Sequence, residues 1–158
     1  MTALNIRSNL GPHDALRVGR MHATGDVAHP LVVHPHAAIA LVLRGSASVW
    51  CGELYEIHAN DVIILPEGYP HAMRTASGLE LLGLALCCAC VRSGQGRRLV
   101  DLVARTGEGA CAVRRLSGGD AAQLAGLLEA LGSEAETRRP GWESATDALL
   151  ALVHVVLA

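Results

Sequence analysis

Three histidines, His34, His36 and His71, have the type and spacing that favour chemistry. In an unbroken strand, His34 and His36 would lie on one face, which continues through Ala38 and Ala40. Small residues on an inward-facing side of a barrel leave room for a ligand. If His71 also points inward, the three imidazoles converge, and three neutral histidines can hold Zn²⁺, Ni²⁺ or Fe²⁺ with coordination positions left open.

Pro35 supports a second interpretation of the same segment. It lies between His34 and His36, and a proline removes a backbone donor and fixes φ. The segment would then be a loop with both histidines exposed. The sequence leaves a bound divalent metal and a surface loop both open.

Three further residues are candidates for contact with a small ligand. Arg44 lies where an apolar run ends, and its charge would suit an anionic effector, although solvation at a surface is the commoner role. Trp50 and Tyr55 flank the turn at Gly52 and could line a barrel mouth or simply pack. We take these three as ligand-binding candidates together with the histidines.

The region that carries these residues has the pattern of strands. From Ala15 to about residue 91, short apolar runs alternate with turn residues, and the last run extends from Leu79 to Val91. Many short strands at regular spacing predict a sandwich or a small barrel. The chain has no Phe, although 51% of its residues are hydrophobic, so the core must consist mainly of Leu, Val, Ile and Ala.

Helices are predicted for the rest of the chain. A short helix is expected near 97–105, followed by one more edge strand over 110–116. Ser117 or Asp120 can cap the next helix. Its apolar face has i, i+3, i+4, i+7 spacing and consists of Leu124, Leu127, Leu128 and Leu131. After a break at 138–141, a second apolar stripe comprises Trp142, Ala145, Leu149, Leu152, Val153 and Val156. The two stripes predict an antiparallel helix pair.

Composition narrows the class of protein. A net charge of −2 lacks the basic footprint of a DNA-binding domain. No apolar run approaches the ~20 residues of a membrane span, and no signal peptide is evident. Five cysteines are an odd number, and three of them crowd at Cys87, Cys88 and Cys90, where neighbours on a strand bridge poorly. We therefore expect reduced thiols, packed in the core, and a cytoplasmic location.

Two segments resemble the paired motifs of the cupin superfamily. Residues Asn60–His71 (NDVIILPEGYPH) resemble the second motif, with Asn60 in place of the usual Gly. Asn also tolerates a left-handed turn, so this departure is mild. Residues 32–45 resemble the first motif, but the glutamate that metal-dependent cupins use falls on Ala38 or Ala40. The resemblance implies a double-stranded β-helix, or jelly-roll, barrel.

The order of elements along the chain resembles the N-terminal half of AraC-type transcription regulators. The resemblance implies a cupin barrel over 1–116 that binds a small effector, and a helical hairpin over 117–158 that forms a homodimer through the two apolar stripes. DNA would be contacted only by a helix-turn-helix domain outside this sequence. The apolar end at 149–158 has no stop signal, which suggests a chain continuing beyond Ala158.

Two other functions compete with the sensor. A small metal-dependent cupin enzyme, of the dioxygenase or isomerase type, would use His34, His36 and His71 as ligands, although the missing glutamate argues against it. The remaining alternative is a structural cupin whose barrel is filled by its own side chains.

Overall fold

A computed structural model describes residues 15–27, 30–91 and 94–158, so residues 1–14 of the barrel predicted over 1–116 lie outside them. The chain consists of a β-sheet followed by three helices, with one strand between the first two helices. The strands are β1 (Leu16–Asp26), β2 (Ala37–Cys51), β3 (Glu53–His58), β4 (Asp61–Leu65), β5 (Ala72–Leu86) and β6 (Ala112–Arg115). The helices are α1 (Gly94–Arg105), α2 (Gly118–Thr137) and α3 (Trp142–Leu157), and a 3₁₀ turn follows α1 at Thr106–Gly109.

The sheet is antiparallel throughout, in the order β1-β5-β2-β4-β6, with β3 paired to β2. The two runs predicted on either side of Arg44 form one long strand, β2, whose register against β5 shifts on both sides of Arg44. Such irregularities bend a strand. At Gly45 the backbone has φ +76°, and an added Cβ would lie 2.2 Å from the carbonyl oxygen of Gly78. The bend therefore requires glycine.

Two hydrophobic clusters cover the two faces of the sheet. Strand β4 shows this directly, because Val62 and Ile64 join the cluster under the helices while Ile63 and Leu65 join the cluster inside the curled sheet. A strand buried on both faces has a continuous apolar run, as Asp61–Leu65 has. The mainly antiparallel sheet followed by helices confirms the predicted cupin fold.

β1 and β6 are the two edges of the sheet, and no ladder joins them in the described residues. The curled sheet is therefore held by side-chain packing rather than by a complete ring of strand pairs.

The helices begin and end at identifiable residues. Ser117 caps α2, with its hydroxyl accepting a hydrogen bond from the amide of Asp120 at 3.0 Å. Asp147 of α3 accepts one from the amide of Gly96 in the first turn of α1, also at 3.0 Å. Helix α1 begins three residues before the helix predicted at 97–105. None of the described helices combines the length and the apolar composition required to cross a bilayer.

The helical segment shares its core with the sheet, so 117–158 is not a unit with a core of its own. This corrects the predicted dimer stripe. Leu124, Leu128, Leu131 and Val153 are each 0% exposed and pack inside their own chain. Leu127, Leu149 and Val156 pack at the margin of that core, and Trp142 is half-buried beneath the guanidinium of Arg138. Of the nine predicted interface residues, only Leu152 is exposed, at 46%.

The prediction for the cysteines was also wrong. Strand β5 ends at Leu86 rather than continuing to Val91, so residues 87–90 form a turn in which Cys87 and Cys90 are bridged, with Cα atoms 5.2 Å apart. A second disulfide joins Cys51 and Cys111. The cysteines were expected to lie on one strand, where alternate side chains diverge; a turn brings side chains three apart together.

Candidate functional site

The segment that carries His34 and His36 lies before β2 and is not part of an unbroken strand. Backbone hydrogen bonds hold it against the second motif. Val32 and His71 exchange two of them, at 2.8 and 3.0 Å, and the amide of Gly68 donates to the carbonyl of His34 at 2.9 Å. The segment around Pro35 is thus a loop, as the second interpretation predicted. Its backbone is hydrogen-bonded to Gly68 and His71, so the loop brings the first motif against the second.

The three imidazoles form a cluster, which we call the histidine cluster (His34, His36 and His71). The rings of His34 and His36 stack with centroids 5.0 Å apart and an interplanar angle of 28°. The rings of His34 and His71 are also 5.0 Å apart, tilted by 45°. His36 is buried and the other two are half-buried, so the loop does not expose them fully.

Burial keeps these histidines neutral. Burial, followed by the neighbouring His71 and His36, lowers the pKa of His34 to about 4. Burial also lowers the pKa of His36, although nearby Glu67 acts in the opposite direction. The pKa of His71 is lowered by burial as well, partly offset by its hydrogen bond to the carbonyl of Tyr69, to which Nδ1 lies at 3.2 Å. If Nδ1 donates that bond, Nε2 of His71 carries the free lone pair.

The arrangement does not fit a metal ion. In the described parts of the chain, no group of three or more His, Cys, Asp or Glu side chains is placed to hold one. The first-motif position of the usual glutamate is Ala38 or Ala40, and neither supplies an oxygen ligand. The rings of His34 and His36 stack on one another. Metal ligation by His34, His36 and His71 stays a prediction.

Glu67 and Cys88 extend the histidine cluster, and sequence reasoning missed both. Glu67 lies between Pro66 and Gly68 in the second motif, close enough to His36 to affect its pKa. The pKa of the Cys88 thiol is raised by burial first and then by its hydrogen bond with Glu67, while the amide of Ala37 acts against the rise. In the sequence, Glu67 occupies a position of the second motif where any residue is allowed. The motif therefore gave no reason to assign Glu67 to a site.

The other predicted ligand contacts have different surroundings. Nε of Arg44 is 2.5 Å from a carboxylate oxygen of Glu80, whose other oxygen is 2.7 Å from Arg20. Arg20 also pairs with Glu129 of α2. Arg44 thus belongs to an ion-pair network that connects the sheet to α2, which we call the arginine network.

The two aromatic candidates are part of the sheet. Trp50 is half-buried and pairs in register with Leu54 of β3 and Ala72 of β5. Tyr55 packs against the cluster inside the curled sheet. Ligand contact by either residue is untested and stays a prediction.

The space available for a ligand lies between the sheet and α2. A cavity of about 500 Å³ opens there. Its lining comprises Val18, Gly19, Arg20, Leu82, Glu129, Gly132, Ser133 and Glu136. A smaller cavity of about 180 Å³ lies between β2 and the start of α2. The lining of neither cavity includes the histidine cluster, and the buried side chains inside the curled sheet pack into one hydrophobic cluster.

The turn at the start of the second motif has the geometry that its residue types predict. Asn60 adopts φ 72°, the left-handed conformation expected of the residue in the usual glycine position. Asp61 accepts a hydrogen bond from the amide of His58 at 2.7 Å and a bidentate pair from Arg115. Burial raises the pKa of Asp61, but the hydrogen bonds from Arg115 and His58 outweigh it, so the pKa lies below its ordinary value. This turn begins β4, the strand that leads to Glu67.

Comparison with solved structures gives a likeness that extends over most of the chain. ToxT from Vibrio cholerae aligns with 87% of this chain at a TM-score of 0.61 and 12% identity. The chain spans 53% of the ToxT chain, about half its length. At this identity the likeness concerns the fold alone.

Shorter likenesses are limited to roughly half of the chain. The polyketide cyclase RemF from Streptomyces resistomycificus aligns with 46% of this chain and 54% of its own, at 23% identity and a TM-score of 0.42. The DMSP lyase DddQ from Ruegeria pomeroyi DSS-3 aligns with 46% of this chain and 39% of its own, at 25% identity and a TM-score of 0.43. No curated protein matches the sequence.

A sequence match identifies the sheet itself. Residues 21–86 match the Cupin domain family, and this range contains β2 to β5, most of β1 and both motifs. The helices that make up the rest of the ToxT likeness lie outside the match. Residues 21–86 are therefore similar to a cupin domain, in agreement with the fold of the sheet, and the three helices lie outside this similarity.

Proposed function

We propose that this chain is the ligand-sensing and dimerising part of an AraC-like transcriptional regulator. The observation that carries the proposal is the likeness to the AraC-type protein ToxT, which includes helices as well as sheet and extends over 87% of the chain. DNA would be contacted through a helix-turn-helix domain that these 158 residues do not contain, and a cytoplasmic location accords with that role.

The effector site is proposed in the cavity between the sheet and α2. We place it there rather than inside the curled sheet, where the side chains pack into a buried hydrophobic cluster. The cavity of about 500 Å³ offers Arg20, Ser133 and two carboxylates, Glu129 and Glu136. These groups suit a small polar effector. A ligand that contacts both the sheet and α2 would bind with different affinity to two conformations that differ in the placement of α2. Such a difference in affinity is what allows a ligand to shift the population of the two conformations.

A second copy of the chain is the proposed partner of α3. Leu152 and Val155 are 46% and 68% exposed. They are three residues apart, so they lie side by side on one helix face. This pair, rather than the buried stripe, supplies the apolar surface for a homodimer.

Dimerisation is tested by analytical ultracentrifugation of the double variant Leu152→Asp/Val155→Asp. The expected result is a monomer, because two carboxylates would have to be buried without partners. Ser144→Asp, an exposed position on the same helix, is the matched control and should leave the mass unchanged. A wild-type chain that is monomeric at high micromolar concentration, or a double variant that remains dimeric, would contradict the assignment.

The sensor role is tested by fusing residues 1–158 to a DNA-binding domain that binds its operator only as a dimer. We expect operator binding, lost in Leu152→Asp/Val155→Asp and retained in Ser144→Asp. A thermal-shift screen of small polar metabolites against wild type and Glu136→Gln then tests the cavity. A stabilising compound whose effect is unchanged in Glu136→Gln would place the effector elsewhere.

A metal-dependent cupin enzyme is the second candidate, favoured by one observation: three neutral imidazoles lie together beside Glu67. Metal analysis after purification without chelator separates the candidates. Stoichiometric Zn, Ni or Fe that is lost in His71→Ala and kept in His22→Ala, an exposed histidine on β1, would favour the enzyme. We expect no stoichiometric metal, because the side chains as arranged do not converge on one point.

A further inference from the structure

The two disulfides lie in contrasting surroundings. Cys51 and Cys111 are 2% and 6% exposed, inside the cluster enclosed by the curled sheet, and their bridge closes a separation of 60 residues. Cys87 and Cys90 lie in the turn that follows β5, where Cys90 is exposed and Cys87 half-buried. Their bridge spans only three positions. Exposed bridges are the labile ones, and a short loop adds little loop-closure entropy, so only the second bridge has the features of a reactive site.

The turn at 87–90 does not depend on its disulfide for its shape. The amides of Cys90 and Val91 donate to the carbonyl of Cys87 at 3.0 and 3.1 Å, and the amide of Cys87 donates to Ala15 at 2.9 Å. None of these backbone bonds involves a sulfur atom, so reduction of the bridge removes none of them directly. The two thiols therefore stay close together and the bridge can form again.

We propose that Cys87 and Cys90 are a reversible dithiol–disulfide site, with small or protein dithiols as reductants and disulfides as oxidants. A thiolate of the reductant attacks Sγ of the exposed Cys90, forming a mixed disulfide, and Cys87 leaves as a thiolate that takes a proton from solvent. The second thiol of the reductant then attacks the mixed disulfide and releases Cys90 as a thiol. The reductant becomes a disulfide, and the protein gains two electrons and two protons.

Contacts connect this site to the histidine cluster. Cys88, between the two bridged cysteines, donates a hydrogen bond to the carbonyl of Leu86 at 3.9 Å, and burial, followed by nearby Glu67, raises the pKa of its thiol. Glu67 is adjacent to Gly68, whose amide holds His34. A change in the turn is therefore transmitted through Cys88 and Glu67 to the loop that carries His34 and His36. This inference does not depend on the proposed regulator function.

The test is differential alkylation of the native, full-length chain. Protein is equilibrated with dithiothreitol buffers of graded reduced-to-oxidised ratio, quenched with iodoacetamide, and mapped by mass spectrometry of peptides. We expect two additional labels, on Cys87 and Cys90, to appear together and to disappear on reoxidation. Cys51 and Cys111 should stay unlabelled until denaturant is added. Cys88→Ser, which keeps the bridge, should show the same two labels and serves as the matched control.

Coupling to the histidine cluster is measured by NMR of the imidazole protons. Reduction should shift the His34 and His36 signals in wild type and leave them unchanged in Cys87→Ser/Cys90→Ser, which has no bridge to reduce. The proposal is overturned if Cys87 and Cys90 carry free thiols in air-equilibrated protein, or if the Cys51–Cys111 bridge is reduced first. It is also overturned if reduction of Cys87–Cys90 in native buffer cannot be reversed.

Discussion

Replacing Leu128 with alanine tests whether this residue belongs to the core of the fold or to a dimer interface. Leu128 is on the apolar stripe of α2, which the sequence assigned to a dimer, yet its side chain is 0% exposed and belongs to the core between sheet and helices. Truncating a fully buried leucine costs about 2–5 kcal/mol. For a domain of this size, about 3 kcal/mol corresponds to a fall in Tm of about 6–12 °C.

The assay is thermal and urea denaturation followed by circular dichroism, with the mass measured at each protein concentration. Leu152→Ala is the matched control on α3, because its side chain is 46% exposed and its truncation should cost well under about 1 kcal/mol at low protein concentration. If Leu128→Ala instead unfolds at the wild-type temperature while the mass of the assembly falls by half, Leu128 is an interface residue. The packing of α2 on the sheet described above would then be incorrect.

Three further predictions concern the sheet. Asp61→Asn should lower the free energy of unfolding at pH 7, because it removes the ion pair with Arg115. The pKa of Asp61 in the folded wild type lies below 3.8, so the stability from this pair is present above that value and is lost as pH falls through the folded pKa. The urea midpoints of wild type and variant should therefore converge in acid and differ at neutral pH. Gly45→Ala should cost at least about 2 kcal/mol, since φ is +76° and the Cβ meets backbone, and an unchanged melting curve would disprove the bend. Replacing Cys51 and Cys111 together with serine should cost about 4 kcal/mol from the loss of a 60-residue loop closure, whereas equal stability of oxidised wild type and variant would exclude a structural bridge.

The local elements were largely accessible from the sequence. The run Val62–Leu65 and the alternation around Gly52 predicted strands, and the i, i+3, i+4, i+7 spacing of α2 predicted a helix, because each pattern reflects the period of its own element. The motif Asn60–His71 indicated the cupin fold class. Its turns require particular backbone conformations, such as the positive φ of Asn60, and the residue types at those positions are the ones that adopt them.

The partners of each surface were not accessible in the same way. An apolar stripe indicates that a helix face is buried, but it does not indicate which surface packs against that face. Leu124 and Leu131 belong to the core that α2 shares with the sheet of the same chain. The same limit applies to Glu67 and Cys88, which are 21 positions apart in the sequence and influence one another only in the folded chain.

The sequence by itself determined the strand and helix types, the turn at Asn60 and the cupin class, because these depend on backbone preferences and on periods of a few residues. Only the tertiary structure decided that the three histidines lie together, that Leu124, Leu128 and Leu131 pack inside their own chain, and that Cys87 and Cys90 are joined across a turn. Those outcomes depend on distances between segments remote along the chain. Such distances are set by packing, and packing has no local signature.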